Sequence, residues 1–421
     1  MQRLRIKKYQ MIPQKSEFDS LGEKYRFWAF VLGLSFPGYH IGLNTFITSV
    51  LGNNSIDTLL AYTILIGSIF LAIIKTPKSQ WKRYYQTPLL IIGGCLVILF
   101  ASSWLFSKNI YVVSHIRTTF LQTACWGILV ANLIDNTKLY KRAFKLIGYI
   151  VFWFLVYEPF APRSTLFIEV ENSWGTSGYL TWGYRMLIAA ILLLFTALDS
   201  KRVIDWIFAI TATVELVVIG NRGSLLVIEI FLLLYIVFCI DSKKRVKYII
   251  IIVTLTIMVS ILIQPENLVR LESGLLQLGI KSRNISKLLD STMTDSGRDA
   301  GYAIAIAKIK SGNFLGLGIG GDQLLVGNYP HNILLEFMLQ YGNVLGGILF
   351  FILIWNSIKY FILIHNNEYK MVFITFFSLG IVKLWLSSTY WYELWFWAYV
   401  IVLLKTKKYI TYYRAKEDKR C

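Results

Sequence analysis

Repeated apolar runs, each about as long as a helix that crosses a lipid bilayer, dominate the sequence. A bilayer core about 30 Å thick requires roughly 20 apolar residues in a helix. By this measure the chain has about twelve candidate spans. They cover residues 27–50, 58–74, 88–106, 114–134, 144–160, 179–197, 203–220, 223–240, 248–263, 343–363, 371–386 and 389–404. The sequence therefore predicts an all-α integral membrane protein with about twelve transmembrane helices.

The strong positive charge of the chain does not indicate a nucleic-acid-binding protein. Of its 421 residues 56% are hydrophobic, and 43 Lys and Arg residues against 24 Asp and Glu residues give a formal net charge of +19. The basic residues cluster between the apolar runs, whereas a nucleic-acid-binding surface would gather them on one folded face with aromatic stacking partners. We therefore expect a protein whose partners include membrane lipid and no nucleic acid.

The cysteines do not form a redox or metal-binding motif, and the N-terminal segment does not resemble a cleaved leader. Cys95, Cys125 and Cys239 lie inside apolar runs and Cys421 lies in the C-terminal tail, so no pair has the spacing of such a motif. The first apolar run follows a basic segment, but it is too long for a signal peptide and lacks a small-residue cleavage site. We expect it to be an uncleaved anchor.

Lys and Arg are concentrated in alternate connections, which predicts the orientation of the chain because basic residues near helix ends are retained in the cytoplasm. The basic connections are 1–26, 75–83, 138–145, 201–202, 243–247 and 405–421, whereas 52–57 and 387–388 are almost free of Lys and Arg. Both termini are predicted to be cytoplasmic. The predicted order is a cytoplasmic tail over 1–26, about nine helices over 27–263, one long extracytoplasmic loop with short helices over 264–342, about three helices over 343–404, and a cytoplasmic tail over 405–421.

The long loop is the connection that we expect to carry function, because it is too long to be a simple turn. Leucines at 268, 271, 275 and 278 form an amphipathic stripe that predicts a helix on the membrane surface or one packed against other spans. Further along, Ser296 and Asp299 form a capping box, and Gly312 can end the helix that follows. Arg298 then falls in the first turn of that helix.

Charged side chains within the predicted spans are concentrated towards the outer ends. Arg185, Glu215, Glu229, Lys383 and Glu393 all lie within about two turns of the predicted outer ends of their helices, and Arg222 lies at the tip of a tight outer hairpin. Because intramembrane charges are costly, these residues are functional candidates. They predict a polar cavity on the outer side, with helix-pinning ion pairs as the alternative.

A second group of candidate residues closes the long loop at positions 328–332, NYPHN. His331 follows Pro330 there, and histidine is the side chain best suited to exchange protons near neutral pH. The glycine-rich stretch 316–321, GLGIGG, imitates a dinucleotide fingerprint but has no strand beside it. We interpret it as a flexible connector, with a glycine turn over a lipid headgroup or phosphate as the alternative. The predicted outer segments contain no cluster of metal ligands, so we expect no metal.

Three short motifs occur in a recognisable order: GNRGS at 220–224, SGR at 296–298 and PHN at 330–332. With this order and loop placement the chain resembles the bacterial O-antigen ligase and polysaccharide-polymerase superfamily, although Asn221 stands where the usual hairpin has Ser. The resemblance implies a glycosyltransferase of the bacterial cytoplasmic membrane that works on the outer face. Its donor would be a polyprenyl-pyrophosphate-linked oligosaccharide, and it would need no metal, nucleotide sugar or other cofactor.

The resemblance and the chemistry of the reaction assign a role to each candidate residue. Arg222, Arg298 and, with less motif support, Arg185 would neutralise the departing pyrophosphate. His331 would remove the proton of the acceptor hydroxyl, and direct attack would invert the anomeric carbon. Two further residues, Asn332 and Glu336, are supporting candidates, and Asn332 could orient His331 or a sugar hydroxyl.

Three functions remain open from the sequence. A polymerase would join repeat units into capsule, exopolysaccharide or O-antigen, and we favour it because the chain has no feature dedicated to a second class of acceptor. A ligase would transfer a finished glycan to a different acceptor. A flippase or transporter of lipid-linked oligosaccharides is disfavoured, because the chain shows no internal repeat and its intramembrane charges are offset to one leaflet. A flippase and a chain-length regulator would be partner proteins.

Overall fold

The described part of the structure, a computed structural model, is all-helical, as the sequence predicts. It comprises residues 18, 20–51, 55–158, 178–218, 222–241, 243–247, 250, 265–277, 285, 289 and 298–417. Within these ranges every regular element is a helix. The predicted span 248–263 and the predicted cap at Ser296 lie outside the described residues, apart from residue 250.

The helices are numbered here in chain order. They are α1 (Leu21–Leu51), α2 (Ser55–Lys75), α3 (Lys78–Leu105), α4 (Ile110–Thr119), α5 (Cys125–Ala131), α6 (Thr137–Leu155), α7 (Gly178–Ser200), α8 (Val203–Val218), α9 (Arg222–Cys239), α10 (Pro265–Gln277), α11 (Arg298–Lys310), α12 (Gly321–Val326), α13 (Ile333–Tyr341), α14 (Asn343–Leu363), α15 (Asn367–Phe377) and α16 (Leu394–Glu417). A π-helical turn, Phe120–Ala124, joins α4 to α5. After α15 the chain continues as a π turn, Ser378–Val382, and a 3-10 turn, Lys383–Trp385.

Five helices in the described ranges are long and apolar enough to cross a membrane: Ile56–Lys75, Lys78–Leu105, Leu180–Ser200, Arg222–Cys239 and Asn343–Leu363. They fit a membrane protein, and the count of about twelve spans remains a prediction. Several helices run past the predicted span limits, among them the first and the last. The first begins at Leu21 rather than at residue 27, and the last continues to Glu417 rather than ending at 404. Lysine is a good helix former, so the basic run after residue 404 does not stop the helix.

One helix, α7, lies at the centre of the bundle. In the apolar window of Leu180–Ser200, 83% of the residues are buried inside the protein, against 22–28% in the other four candidate spans. α6 and α8 pack directly against α7, and α1 packs against α6. The outer helices leave large apolar side chains uncovered, such as Leu59 at 69% and Phe70 at 60% exposure. Such exposed apolar surface suits contact with lipid rather than with water.

Ion pairs hold helices together at one end of the bundle, here called the basic end. These pairs are Lys141 with Asp199, Lys145 with Asp205 and Lys405 with Asp135, at N–O distances of 2.7, 3.0 and 2.8 Å. The three lysines belong to the connections that the sequence assigns to the cytoplasm. The acidic residues of these connections therefore tie neighbouring helices together, while much of the basic charge stays exposed.

The segment 298–342 folds into three short helices that pack on the bundle. α11 begins at Arg298 and ends at Lys310, with Gly312 beyond it in a left-handed conformation at φ +90°, which confirms the predicted helix and its glycine stop. In α10, Leu268 is buried and Leu271 is 51% exposed, so these two members of the predicted leucine stripe differ in environment. Leu278 and the side chain of Leu275 lie outside the described residues.

The glycine-rich stretch is a packed part of the structure, and its interpretation as a flexible connector is wrong. Asn109 Nδ2 donates to the carbonyl oxygen of Leu317 at 2.8 Å, and the Ile319 amide donates to Ser102 Oγ at 3.2 Å. Gly316 has φ +79°, and a Cβ there would collide with the backbone of Gln340. Only glycine fits at residue 316, because the stretch lies directly against neighbouring backbone. The spacing of the glycines in the sequence does not reveal this contact.

Close backbone contact between α5 and α16 gives a direct test of the packing. A Cβ on Gly127 would collide with the carbonyl oxygen of Leu394, whereas a Cβ on Gly93 in α3 would meet no atom within 4 Å. We expect Gly127→Ala to destabilise the protein by about 1–3 kcal/mol, because two helices must move apart. Gly93→Ala, the matched control, should be neutral or stabilise by about 0.5–1 kcal/mol. Thermal unfolding of the purified variants in detergent measures both, and equal melting temperatures would contradict the helix contact.

Candidate active site

A buried ion pair organises the region where most of the candidate residues meet. The 3-10 turn Lys383–Trp385 ends in a tight bend, in which the amides of Leu386 and Ser387 both donate to the carbonyl oxygen of Lys383 at 3.0 Å. Lys383 Nζ lies 2.6 Å from Glu393 Oε2, across the start and end of the connection to α16. Side-chain exposures of 4% for Lys383 and 11% for Glu393 show that the pair is almost fully removed from solvent.

Arg185 on the central helix α7 is brought up to this ion pair. Its charge acts on both Glu393 and Lys383, so two cations share one carboxylate. The preceding residue, Tyr184, lies beneath Lys383 Nζ, which is 5.5 Å from the centre of its ring. The Tyr184 hydroxyl donates to the carbonyl oxygen of Leu386 at 3.4 Å. These contacts anchor this end of α7 to the bend after α15.

Arg298 reaches the same region from the first turn of α11. Its side chain lies within hydrogen-bonding reach of the Tyr184 hydroxyl, so Tyr184 stands between Arg298 and the Lys383–Glu393 pair. The charge of Arg298 also acts on the side chains of Tyr329 and His331. We call Arg185, Arg298, Lys383 and Glu393 the cationic cluster. It contains three basic groups and one carboxylate, and such a surplus of positive charge favours a bound anion.

His331 lies beside Arg298 in an unusual backbone conformation. Its φ of 53° falls in the left-handed region, and its ring packs against Tyr329 with 4.4 Å between ring centres. His331 Nδ1 is buried and has no hydrogen-bond partner among the described residues. Burial and the charge of Arg298 lower the pKa of His331 to about 4. The imidazole is therefore neutral near pH 7, and a neutral imidazole can accept a proton.

Asn332 caps the helix that follows His331. Its Oδ1 accepts hydrogen bonds from the amides of Leu334 at 3.0 Å and Leu335 at 3.2 Å, so it satisfies the free donors at the start of α13. The cap fixes the backbone immediately after His331. Asn332 thus has a positioning role in the structure, and its Oδ1 is already occupied by the helix.

Glu336 belongs to a buried hydrogen-bond network rather than to the cationic cluster. Its Oε1 accepts from Thr389 Oγ1 and, at 3.3 Å, from Gln340 Nε2. Gln340 Nε2 also donates to Asp322 Oδ1 at 2.9 Å, while Gln340 Oε1 accepts from Tyr390 Oη at 2.6 Å. The network ties the 298–342 segment to the connection before α16. Glu336 is therefore a positioning residue.

Asp322 and Glu336 form a carboxyl pair bridged by one amide. Both side chains are buried, at 0% and 1% exposure. Burial raises the pKa of Asp322 to about 7, and burial together with the neighbouring Asp322 raises the pKa of Glu336 well above its ordinary value. Two carboxylates this close and this buried cannot both be ionised at low cost, so at least one holds a proton at neutral pH.

Arg222 is not brought into the cationic cluster. It is exposed at the start of α9, and no residue in the described ranges forms a hydrogen bond or an ion pair with its side chain. Nearby, Ser224 Oγ donates to the carbonyl oxygen of Gly183 at 3.2 Å, so the start of α9 lies against the end of α7 that carries Arg185. Glu229 is also exposed and lies apart from the cluster.

Lys383 and Glu393 form a buried ion pair, which is the alternative that the sequence left open beside a polar outer cavity, and the cavity itself remains a prediction. The structure also adds residues that the sequence did not single out. Tyr184 and Tyr329 contact the cluster, and their only sequence signal is their position beside Arg185 and Pro330. Asp322 follows the glycine-rich stretch, where nothing in the sequence marks it as the partner of Glu336.

No model of a known protein family matches this sequence, and no curated protein matches it. The resemblance to the O-antigen ligase and polymerase superfamily therefore rests on the three motifs and remains a prediction. Within the described ranges, no group of three or more His, Cys, Asp and Glu side chains is arranged to hold a metal ion.

The raised carboxyl pKa values predict how stability depends on pH. Carboxyl groups of an unfolded chain have pKa values of about 4, so the folded protein binds the proton of the pair more tightly than the unfolded chain does. The contribution of the pair to stability should fall as pH rises from about 4 towards 7, the pKa of Asp322. We therefore expect the melting temperature of the wild type, relative to that of Asp322→Asn, to fall by a few °C between pH 5 and pH 8. Exposed Asp241→Asn is the control, and parallel slopes for Asp322→Asn and wild type would disprove proton sharing.

Proposed function

We propose that this protein is a bacterial membrane glycosyltransferase that joins polyprenyl-pyrophosphate-linked oligosaccharide repeat units on the outer face of the cytoplasmic membrane. The observation that carries the proposal is the cationic cluster beside a neutral histidine. Arg185, Arg298 and Lys383 meet around the single carboxylate of Glu393, and His331 lies next to Arg298. A pyrophosphate ester needs concentrated positive charge, and an acceptor hydroxyl needs a base.

In the proposed topology about twelve helices span the membrane and both termini are cytoplasmic. Support comes from the ion-paired lysines of the basic end, since Lys141, Lys145 and Lys405 all belong to connections assigned to the cytoplasm. The segment 264–342 then lies outside, together with Arg298 and His331. A lipid-linked glycan whose pyrophosphate sits at the outer headgroup level could reach the cationic cluster from the membrane.

The proposed reaction is a single inverting displacement. The acceptor hydroxyl oxygen forms a bond to the anomeric carbon of the donor as the bond from that carbon to the pyrophosphate oxygen breaks. The departing pyrophosphate gains negative charge, which Arg298, Arg185 and Lys383 stabilise. The hydroxyl proton passes to His331 and then to solvent or to the released pyrophosphate. Arg222, which is exposed at the start of α9, is proposed to meet the same leaving group once substrate is bound.

The low pKa of His331 fits a base that is activated by its substrate. In the free protein the charge of Arg298 and burial hold this pKa at about 4, which makes the imidazole a weak base. A pyrophosphate bound to Arg298 cancels that positive charge and adds negative charge of its own, which stabilises the imidazolium form. His331 therefore becomes a stronger base when the donor is in place. Because donor binding raises the basicity of His331, the acceptor hydroxyl loses its proton only when the donor is bound.

The decisive experiment is transfer by the purified protein reconstituted in lipid vesicles. The donor is the lipid-linked repeat unit extracted from cells of the source organism that lack this protein, where a polymerase substrate accumulates. The acceptor is the same repeat unit, cleaved from its lipid and labelled with a fluorophore. A ladder of labelled products supports polymerase activity. A single addition supports a ligase instead, and movement of the lipid without bond formation supports a transporter.

The most direct test of the mechanism is a variant that lacks the proposed base, His331. We expect His331→Ala to lower the transfer rate by about 10²–10⁴-fold, because the acceptor hydroxyl loses its proton acceptor. His365→Ala is the matched control, since His365 is exposed and lies between α14 and α15, away from the cationic cluster. The melting temperature of each variant is measured alongside. A folded His331→Ala protein that transfers at the wild-type rate would rule out His331 as the base.

A conservative change of Arg298 tests how the pyrophosphate is held. Lysine keeps the charge but cannot form the paired hydrogen bonds of a guanidinium group. We expect Arg298→Lys to lower kcat/KM for the donor about 10-fold or more, on the order of one lost charge-assisted hydrogen bond. Arg270→Lys serves as the control, because Arg270 is exposed on α10 in the same predicted outer segment. Equal effects of the two substitutions would remove Arg298 from the binding site.

A further inference from the structure

A second group of polar side chains lies where α1 ends, α2 begins and the chain leaves α6. We call it the α1 polar cluster: His40, Asn44, Asp57 and Glu158. His40 and Asn44 are four residues apart and so lie on one face of α1. A Cβ on Gly42, between them, would collide with the backbone of Phe154. This close approach of α1 and α6 brings Glu158, just beyond α6, to the same place.

Both carboxylates of the α1 polar cluster have one oxygen engaged and one without a partner. Asn44 Nδ2 donates to Asp57 Oδ2, and Asp57 Oδ1 is buried without a hydrogen-bond partner. The Thr45 hydroxyl lies within hydrogen-bonding reach of Glu158, whose Oε2 is likewise buried and unpartnered. Asp57 is 0% exposed and Glu158 is 4% exposed. Asn44 and Thr45 are consecutive on α1 and point about 100° apart, so the two carboxylates lie against neighbouring sides of the same helix.

The arrangement differs from that of the structural ion pairs elsewhere in the protein. At the basic end each buried or half-buried carboxylate meets a lysine, as Asp205 meets Lys145. Within the described ranges, neither Asp57 nor Glu158 forms a salt bridge. A buried acceptor without a partner costs about 1–3 kcal/mol, and more where it is charged. Two such acceptors against one stretch of α1, each oriented by a neutral donor, are placed to receive hydrogen bonds from a ligand.

The α1 polar cluster adjoins the cationic cluster through Arg185, whose charge acts on the His40 imidazole as well as on Glu393. It also has an aromatic wall. The His40 ring stacks on Phe36 with 5.3 Å between ring centres and an interplanar angle of 12°. His40 Nε2 is a third buried polar atom without a hydrogen-bond partner among the described residues.

Carboxylate oxygens, an imidazole nitrogen and an aromatic surface together match the chemistry of a sugar, which offers several hydroxyl donors beside an apolar ring face. We propose that His40, Asn44, Asp57 and Glu158 bind hydroxyl groups of the acceptor sugar and hold it beside Arg185. The inference rests on the proposed glycosyl transfer. It assigns the acceptor to the α1 side of Arg185 and leaves the donor pyrophosphate among Arg185, Arg298 and Lys383.

The test uses Asp57→Asn and Glu158→Gln in the full-length protein, each of which replaces an acceptor oxygen by a donor of the same size. In the vesicle assay we expect each to raise KM for the fluorescent soluble acceptor at least 10-fold. A tenfold rise in the acceptor KM corresponds to about 1.4 kcal/mol of lost binding. We expect kcat at saturating acceptor and KM for the lipid-linked donor to change less than about 2-fold, because the substitutions affect only the acceptor subsite. Exposed Asp241→Asn and Glu266→Gln are the matched controls.

Stability separates this role from a structural one. Replacing an unpaired buried carboxylate by an amide should leave the melting temperature unchanged or raise it, whereas loss of a structural partner would lower it. Lower melting temperatures with reduced kcat in both variants would overturn the inference. An acceptor KM that depends on Na⁺ in the wild type and not in Asp57→Asn would also overturn it, in favour of a cation site.

The result also separates failure of the inference from failure of the proposed function. If His331→Ala abolishes transfer while both carboxylate variants keep the wild-type acceptor KM, the glycosyltransferase proposal stands and the acceptor subsite is wrong. If wild-type protein makes no glycosidic bond, the proposed function fails and the inference fails with it. If Asp57→Asn does not fold, the acceptor KM of Glu158→Gln alone tests the acceptor subsite.

Discussion

The buried ion pair between Lys383 and Glu393 is the interaction on which the candidate site depends. It closes the connection between the helical run after α15 and the last helix, and almost no solvent reaches it. Leaving one member of such a pair buried alone costs about 3–5 kcal/mol, so the two sides of the connection are strongly held together. Tyr184 packs under Lys383, and the charge of Arg185 acts on Glu393. The pair thereby orients the polar end of α7, the most buried of the five candidate spans.

The same connection receives the 298–342 segment through the Glu336 network. Thr389, Tyr390 and Trp391 follow the bend after Lys383 and donate to Glu336 and Gln340. The other edge of that segment is fastened by the glycine-rich stretch to α3 and to the turn before α4. Two independent attachments therefore fix the helices that carry Arg298 and His331. The separation between Arg185 on the central helix and Arg298 on the attached segment is set by packing rather than by a loose loop.

Local patterns in the sequence predicted local features of the structure well. The apolar runs predicted an all-helical chain, and the glycine at 312 predicted where α11 stops. The cost of charge in apolar helices left helix-pinning ion pairs open as the alternative to a polar cavity, and Lys383 and Glu393 form such a pair. Each of these features depends on periodicity, on a residue's own backbone preference or on desolvation, which are all visible in a linear sequence.

Features set by contacts distant in the sequence were not predicted. Asn109 and Leu317 are 208 residues apart, so nothing local shows that the glycine-rich stretch is packed. Glu336 was given only as a supporting candidate, because its partner Thr389 lies 53 residues further on and nothing local shows the hydrogen-bond network that they share. The α1 polar cluster was missed for the same reason, because Asn44, Asp57 and Glu158 belong to three different helical segments.

The backbone at His331 shows how the side chain proposed as the base is held in place. A left-handed conformation of a non-glycine residue costs on the order of 1–2 kcal/mol, and φ at His331 is 53°. The Asn332 cap offsets this by roughly 0.5–2 kcal/mol, since it satisfies two amides at the start of α13. Pro330 restricts the backbone on the other side. The imidazole is thus confined beside Arg298, where burial and the charge of Arg298 lower its pKa to about 4 and keep it neutral near pH 7. In the proposed reaction, a pyrophosphate bound to Arg298 would reverse this electrostatic balance.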